Sequence, residues 1–135
     1  MATSALPPTI AEASLAVAAG LLSCVDLTRA CLRLTEAFDG SWGAFAIRFD
    51  ESALLAAKEA DSGPRDGLLP GIPVVVKDNI MTREGPTKAQ SQVLDPGMTG
   101  QDAAVVERLR AVGAIVMGKA ATMEFAVGPP QAIVG

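Results

Sequence analysis

A lysine delivered by an apolar strand is the residue of this chain best suited to chemistry. In Leu69-Pro70-Gly71-Ile72-Pro73-Val74-Val75-Val76-Lys77-Asp78-Asn79-Ile80, a proline and a glycine lead into a β-branched run that ends at Lys77. The pattern reads as a turn feeding a buried strand. Lysine is almost never fully buried without a partner, so its place there has two readings. In one, Lys77 lies just past the strand and extends its amine to water. In the other, it is desolvated until the amine can serve as a base. A free lysine has a pKa of about 10.4 and is neutral in only about one molecule in 2,500 at pH 7, so activation takes about 4–5 kcal/mol against the cation. Burial acts in that direction. Asp78 and Asn79 follow directly; both are good turn formers, and both could instead hydrogen-bond around a catalytic centre.

The words around Lys77 resemble a known pattern. Pro70 to Ile80 resembles the motif that opens the catalytic core of the amidase-signature hydrolases. The likeness continues through Gly85-Pro86-Thr87, then Asp102-Ala103-Ala104-Val105-Val106-Glu107-Arg108-Leu109-Arg110-Ala111-Val112-Gly113-Ala114, then Gly118-Lys119 and Met123-Glu124-Phe125-Ala126-Val127-Gly128. These blocks stand in family order and spacing from roughly Phe45 to Gly128. The resemblance implies amide C–N hydrolysis through a Ser–cis-Ser–Lys triad, in which one serine attacks the carbonyl, a second relays the proton and neutral lysine is the final base. Backbone amides of a glycine-rich loop would stabilise the oxyanion. By position, Lys77 matches the triad lysine, with Asp78 and Asn79 as supporting residues. Lys119 also matches a family position but receives no chemistry, and Glu124 is read as pairing with it or with solvent.

Both serines belong to a Gly-Gly-Ser-Ser-Gly-Gly-like stretch and beyond, which has no counterpart here. The resemblance therefore implies that residues 1–135 are the amino-terminal portion of a single amidase-signature domain, helical over 1–40 and opening the α/β core over 41–135. Alone, they are expected to be inactive and to expose an apolar sheet edge. Two departures from the family leave substrate preference open: Thr87-Lys88-Ala89-Gln90-Ser91 replaces a threonine with lysine, and Gly128-Pro129-Pro130 replaces a polar continuation. Two other readings stay in play. One is the glutaminase subunit of a tRNA-dependent amidotransferase, which would need companion subunits; the other is a non-catalytic α/β binding module.

Composition bounds the rest. A chain of 135 residues, half of them apolar and with net charge −4, makes one globular domain at most and presents no basic footprint for nucleic acid. Arg29 and Arg33 read as a solvated helix face. The absence of histidine excludes a Ser-His-Asp or Cys-His device within these residues and disfavours a zinc site. Cys24 and Cys31 are seven apart on one helix, about 10 Å along its axis, which is too far for a disulfide. Reduced thiols and no export signal suggest the cytoplasm. No cofactor is implied. The expected partner is a small-molecule amide, with neither nucleic acid nor membrane, and a homo-oligomer is left open for the full-length protein.

The elements follow from periodicity. Thr9 and Glu12 form a capping box for an alanine-rich helix stopped by Gly20, too short for a membrane crossing. Ser23 and Asp26 start a second helix, with Leu27, Cys31, Leu34 and Phe38 as its apolar stripe and Asp39-Gly40 as its end. A strand over 44–49, a helix over 51–60 and the strand Ile72–Lys77 come next. Thr82–Gly100, with three glycines and two prolines, is a long loop. Asp102 is an N-cap candidate for a helix closed by Gly113, and Ala114–Met117 is a buried strand. Strand, helix and strand make a crossover unit with parallel strands. The fold expected is α/β, a mixed sheet flanked by helices. Gly113 to Ala120 nearly matches a phosphate loop, but Ala120 stands where a hydroxyl is needed and Ile-Val-Met reads as buried strand. Gly40-Ser41-Trp42-Gly43 falls short of a nucleophile elbow because position 39 is Asp.

Overall fold

Four helices and three strands follow from these local signals in a computed structural model that describes residues 6–95 and 100–128. The helices are α1 (Ile10–Ala18), α2 (Cys24–Trp42), α3 (Asp50–Ser62) and α4 (Ala104–Ala111). The strands are β1 (Phe45–Arg48), β2 (Pro73–Lys77) and β3 (Ile115–Ala120), and a single 3-10 turn spans Glu124–Ala126. The sheet runs β1-β3-β2, with β1 antiparallel and β2 parallel to β3. This is the mixed sheet and parallel crossover that the sequence implied.

The helix starts are chemically explicit. Thr9 Oγ1 accepts from Glu12 N at 3.2 Å, and Ser23 Oγ accepts from Asp26 N at 2.9 Å. A carboxylate from a distant helix completes the second start: Asp61 of α3 accepts from Cys24 N at 2.8 Å and from Val25 N at 3.1 Å. It satisfies two of the four donors that a helix leaves unpaired and sits at the positive end of the helix dipole.

Several boundaries differ from expectation, and β3 runs past Met117 to Ala120. Helix α2 does not stop at Asp39-Gly40; it runs on to Trp42, because Gly43 supplies the left-handed residue (φ 58°) that ends a helix. Asp39 instead turns its carboxylate to the exit, accepting from Ala44 N at 2.7 Å and Phe45 N at 3.1 Å. At α4 the N-cap is Ala103, not Asp102. Asp102 accepts from Arg83 N at 2.9 Å and Arg110 Nε at 2.8 Å, and Arg110 also donates to Glu84 at 2.6 Å. The Asp102 carboxylate thus ties the loop after β2 to α4. The apolar stripe of α2 is likewise buried only in part, since Leu27 is covered whereas Leu34 and Phe38 are about half exposed.

Two apolar layers sandwich the sheet. Helices α1, α2 and α3 cover one face through Val17, Leu27, Ala53 and Ala57, meeting Ile72, Ile115 and Met117. Phe49, Val76, Val116 and Val106 of α4 close the other. Burial of each large aliphatic side chain contributes about 1.5–3 kcal/mol. Gly71 packs directly on Cys24: a Cβ there would stand 2.1 Å from Cys24 Sγ, and its φ of 65° already favours glycine.

One irregularity matters for the site. The β2–β3 register pairs Val74 with Val116 but Val75 with Gly118, leaving Met117 as an extra residue on β3. Such a bulge re-aims the side chains beyond it. Val76 then pairs with Lys119, and Lys77 with Ala120.

Candidate functional site

The C-terminal ends of β2 and β3 carry two lysines, and the fold treats them in opposite ways. Lys77 is exposed. Its carbonyl accepts from Ile80 N at 2.9 Å, closing a turn through Asp78 and Asn79. Asn79 is exposed on that turn, as its turn-forming character suggests. Among the described residues, then, the Lys77 amine is not held out of water.

Lys119 is the buried one, at 0 % exposure. Its Nζ donates to Pro86 O at 2.9 Å and to Thr87 Oγ1 at 2.7 Å. Asp78 Oδ1 lies 3.2 Å away, held by charge rather than by an aligned hydrogen bond. Burial pulls the Lys119 pKa below the ordinary lysine range, and Asp78 partly opposes that pull. Side chains alternate along a strand, so Val76, Asp78 and the register partner Lys119 share one face while Lys77 leaves from the other. Asp78 is buried at 1 % exposure, while its backbone N–H donates to Ala120 O at 3.0 Å. It is thus anchored by both main chain and side chain.

A second contact joins the loop after β2 to the segment after β3. Ser91 Oγ donates to Glu124 at 3.0 Å, and Phe125 N donates to Ala89 O at 2.8 Å. Glu124 therefore pairs with Ser91, and Lys119 is taken by other oxygens. Ala89, Gln90, Phe125 and Ala126 all have left-handed φ values, 49°, 55°, 49° and 62°. Non-glycine residues pay about 1–2 kcal/mol each for this conformation, and such strain concentrates at functional sites.

The remaining candidates resolve into structure. Gly113 to Ala120 forms the end of a helix turn and then β3, with no phosphate cradle. Gly40-Ser41-Trp42 lies in the last turn of α2. Both cysteines are free; burial, then Asp61, pushes the Cys24 thiol up to about 11, and burial also raises Cys31. Neither is a ready nucleophile. No cluster of three or more His, Cys, Asp or Glu that could hold a metal ion occurs among the described residues. Pro129-Pro130 lies outside the described residues. The sequence did not single out the Lys119–Asp78–Thr87 cluster; its signal was a second lysine at the end of a second apolar strand.

Residues 26–131 match the family model described as Amidase. The chain belongs to the amidase family. Among curated relatives, it is 43% identical over 121 residues to a glutamyl-tRNA(Gln) amidotransferase subunit of Anaeromyxobacter dehalogenans, covering 87% of this chain and 25% of that protein. It is 37% identical over 130 residues to the corresponding subunit of Thermobifida fusca, covering 93% of this chain and 26% of that protein. The native peptide amidase of Stenotrophomonas maltophilia superposes with a TM-score of 0.78 at 35% identity, over 87% of this chain and 25% of that one. A bacterial aryl acylamidase of the amidase-signature enzymes shares the fold at TM-score 0.76 and 17% identity. This amidase chain spans about a quarter of the length of the curated relatives it matches. No helix among its described residues is long and apolar enough to cross a membrane.

Proposed function

We propose that this chain supplies the lysine of an amidase-signature centre that hydrolyses a carboxamide C–N bond, and that Lys77 is that lysine. The observation that carries the reading is the division of labour between the two strand-end lysines. Lys119 spends its ammonium on three oxygens, whereas Lys77 presents its amine outward from a strand end whose backbone is tied to β3 and closed by the turn to Ile80. An outward amine can meet serines that these 135 residues do not hold in any glycine-rich loop. In the reaction, the Lys77 amine, once covered by the rest of the enzyme and deprotonated, takes a proton from a relay serine as that serine takes one from the nucleophile. The nucleophile adds to the carbonyl, and the acyl-enzyme forms as the amine leaving group departs with a proton returned along the same path. Water then repeats the sequence to release the acid. Asp78 and Asn79 form the turn that follows the base. Residues 1–135 alone hydrolyse nothing on this reading. The substrate is a small amide rather than a nucleic acid, and the setting is cytoplasmic.

The identities of 40–43% to glutamyl-tRNA(Gln) amidotransferase subunits favour a second reading, a glutaminase working with companion subunits. A non-catalytic binding module is the third. Ammonia release by the natural full-length protein, assayed on propionamide, benzamide and L-glutamine with and without Lys77→Met, separates the three. Loss of about 10²–10⁴-fold in kcat/KM on Lys77→Met is expected. Undiminished turnover would refute the role of Lys77. Turnover of L-glutamine alone would favour the glutaminase, and an inert wild type the module.

A further inference from the structure

We propose that Lys119 is a positioning residue for Lys77. Its buried ammonium clamps Asp78, Pro86 and Thr87 together, so that the strand end carrying Lys77 has one fixed exit. The inference rests on the reading of Lys77 given above and deepens it.

The argument begins with what Lys119 touches. A fully buried ammonium has three protons to place, and it has an oxygen within reach for each: Pro86 O, Thr87 Oγ1 and Asp78 Oδ1 at 2.9, 2.7 and 3.2 Å. The three oxygens come from two stretches of chain, the residue immediately after Lys77 and the loop eight residues beyond it. Without the lysine, nothing in this cluster would hold those stretches to β3 through side chains. The main chain then carries the constraint to Lys77. Asp78 N donates to Ala120 O, Ala89 N donates to Asp78 O at 3.4 Å, and Ile80 N donates to Lys77 O. Lys77 is thus flanked by a strand register on one side and by an anchored, buried Asp78 on the other.

The clamp lies on the face opposite the Lys77 amine, so Lys119 acts through the backbone and touches no reacting atom. It also lets a carboxylate sit buried beside the base with its charge matched. Small errors in the direction of a catalytic group are expensive: a displacement of about 1 Å can cost 10²-fold in rate. A positioning residue of this kind should therefore change kcat and leave KM alone.

The test uses the natural full-length protein, with kcat and KM measured for the carboxamide among propionamide, benzamide and L-glutamine that the wild type turns over fastest. Lys119→Met is expected to lower kcat by about 10- to 100-fold, with KM within about threefold of wild type. Because that variant can fail to fold, Thr87→Val and Thr87→Ser form a gentler pair. Valine keeps the shape and removes the acceptor, and should lower kcat by about 3- to 10-fold; serine keeps the hydroxyl and should restore it. Wild-type kcat in Lys119→Met, or equal kcat in the two Thr87 variants, would overturn the proposal. A rise in KM at constant kcat would do the same. If Lys77→Met abolishes turnover while these variants keep it, only the positioning role falls. If Lys77→Met keeps turnover, the reading of Lys77 falls and takes this one with it.

Discussion

Replacing Lys119 with methionine tests how much the fold depends on one buried charge. The substitution keeps an unbranched side chain in a site with 0 % exposure and removes only the ammonium. Asp78 is then left at 1 % exposure with no counter-charge, and Pro86 O and Thr87 Oγ1 lose their donor. Burying the intact pair is itself expensive, several kcal/mol per ion, so its net contribution to stability is small. Breaking it is another matter: removing one partner from such a pair costs about 3–5 kcal/mol. That is a large part of the total, since domains of this size are stable by about 5–15 kcal/mol. In urea unfolding with an m-value of about 2 kcal/mol/M, the midpoint should fall by about 2 M. The decisive control is Lys119→Met/Asp78→Asn, which removes both charges and should regain part of the loss. A single variant that loses less than about 1 kcal/mol would refute the reasoning, as would a double variant no more stable than the single.

Two further outcomes follow from the helix start and the tight glycine. At Asp61, burial works against the carboxylate, but the Cys24 and Val25 amides, the Cys24 thiol and Arg65 outweigh it and hold the pKa below the usual value. A depressed carboxyl pKa contributes stability that is present above the ordinary carboxylate range near pH 4 and is lost as pH falls through the lower folded value. Asp61→Asn should flatten that acid slope in urea titrations and cost about 1 kcal/mol near pH 7, and an unchanged slope would contradict the capping role. Gly71→Ala should cost about 2–5 kcal/mol, through a left-handed φ of 65° and a Cβ 2.1 Å from Cys24 Sγ. A thermal midpoint within a degree of wild type would show that the contact yields.

How much was legible in the sequence depended on whether the partner was local. The strand into Lys77 and the N-caps Thr9 and Ser23 are readable because each is set by neighbours a few residues away, and the parallel crossover follows from the strand–helix–strand order alone. The apolar run of β3 ends at Met117, but the strand itself continues through Gly118 and Lys119 to Ala120. That lysine stays inside because Asp78 and Thr87 arrive from more than thirty residues away. Asp102 fails as a cap for the same reason, because Arg83 and Arg110 compete for its carboxylate. Among these residues the lysine withdrawn from water is Lys119, while Lys77 stands exposed at the end of its strand.

The extra residue at Met117 decides which layer of the molecule receives a cation. With unbroken alternation, Ile115, Met117 and Lys119 would all point towards α2 and α3, into a layer of alanine, leucine and valine that offers an ammonium nothing. The slip hands Lys119 to the opposite side, where the oxygens wait. Deleting the Met117 codon would remove the slip yet keep Lys119 two residues beyond Val116, on the side of the oxygens. Keeping Met117 and straightening the strand would instead drive a positive charge into hydrocarbon.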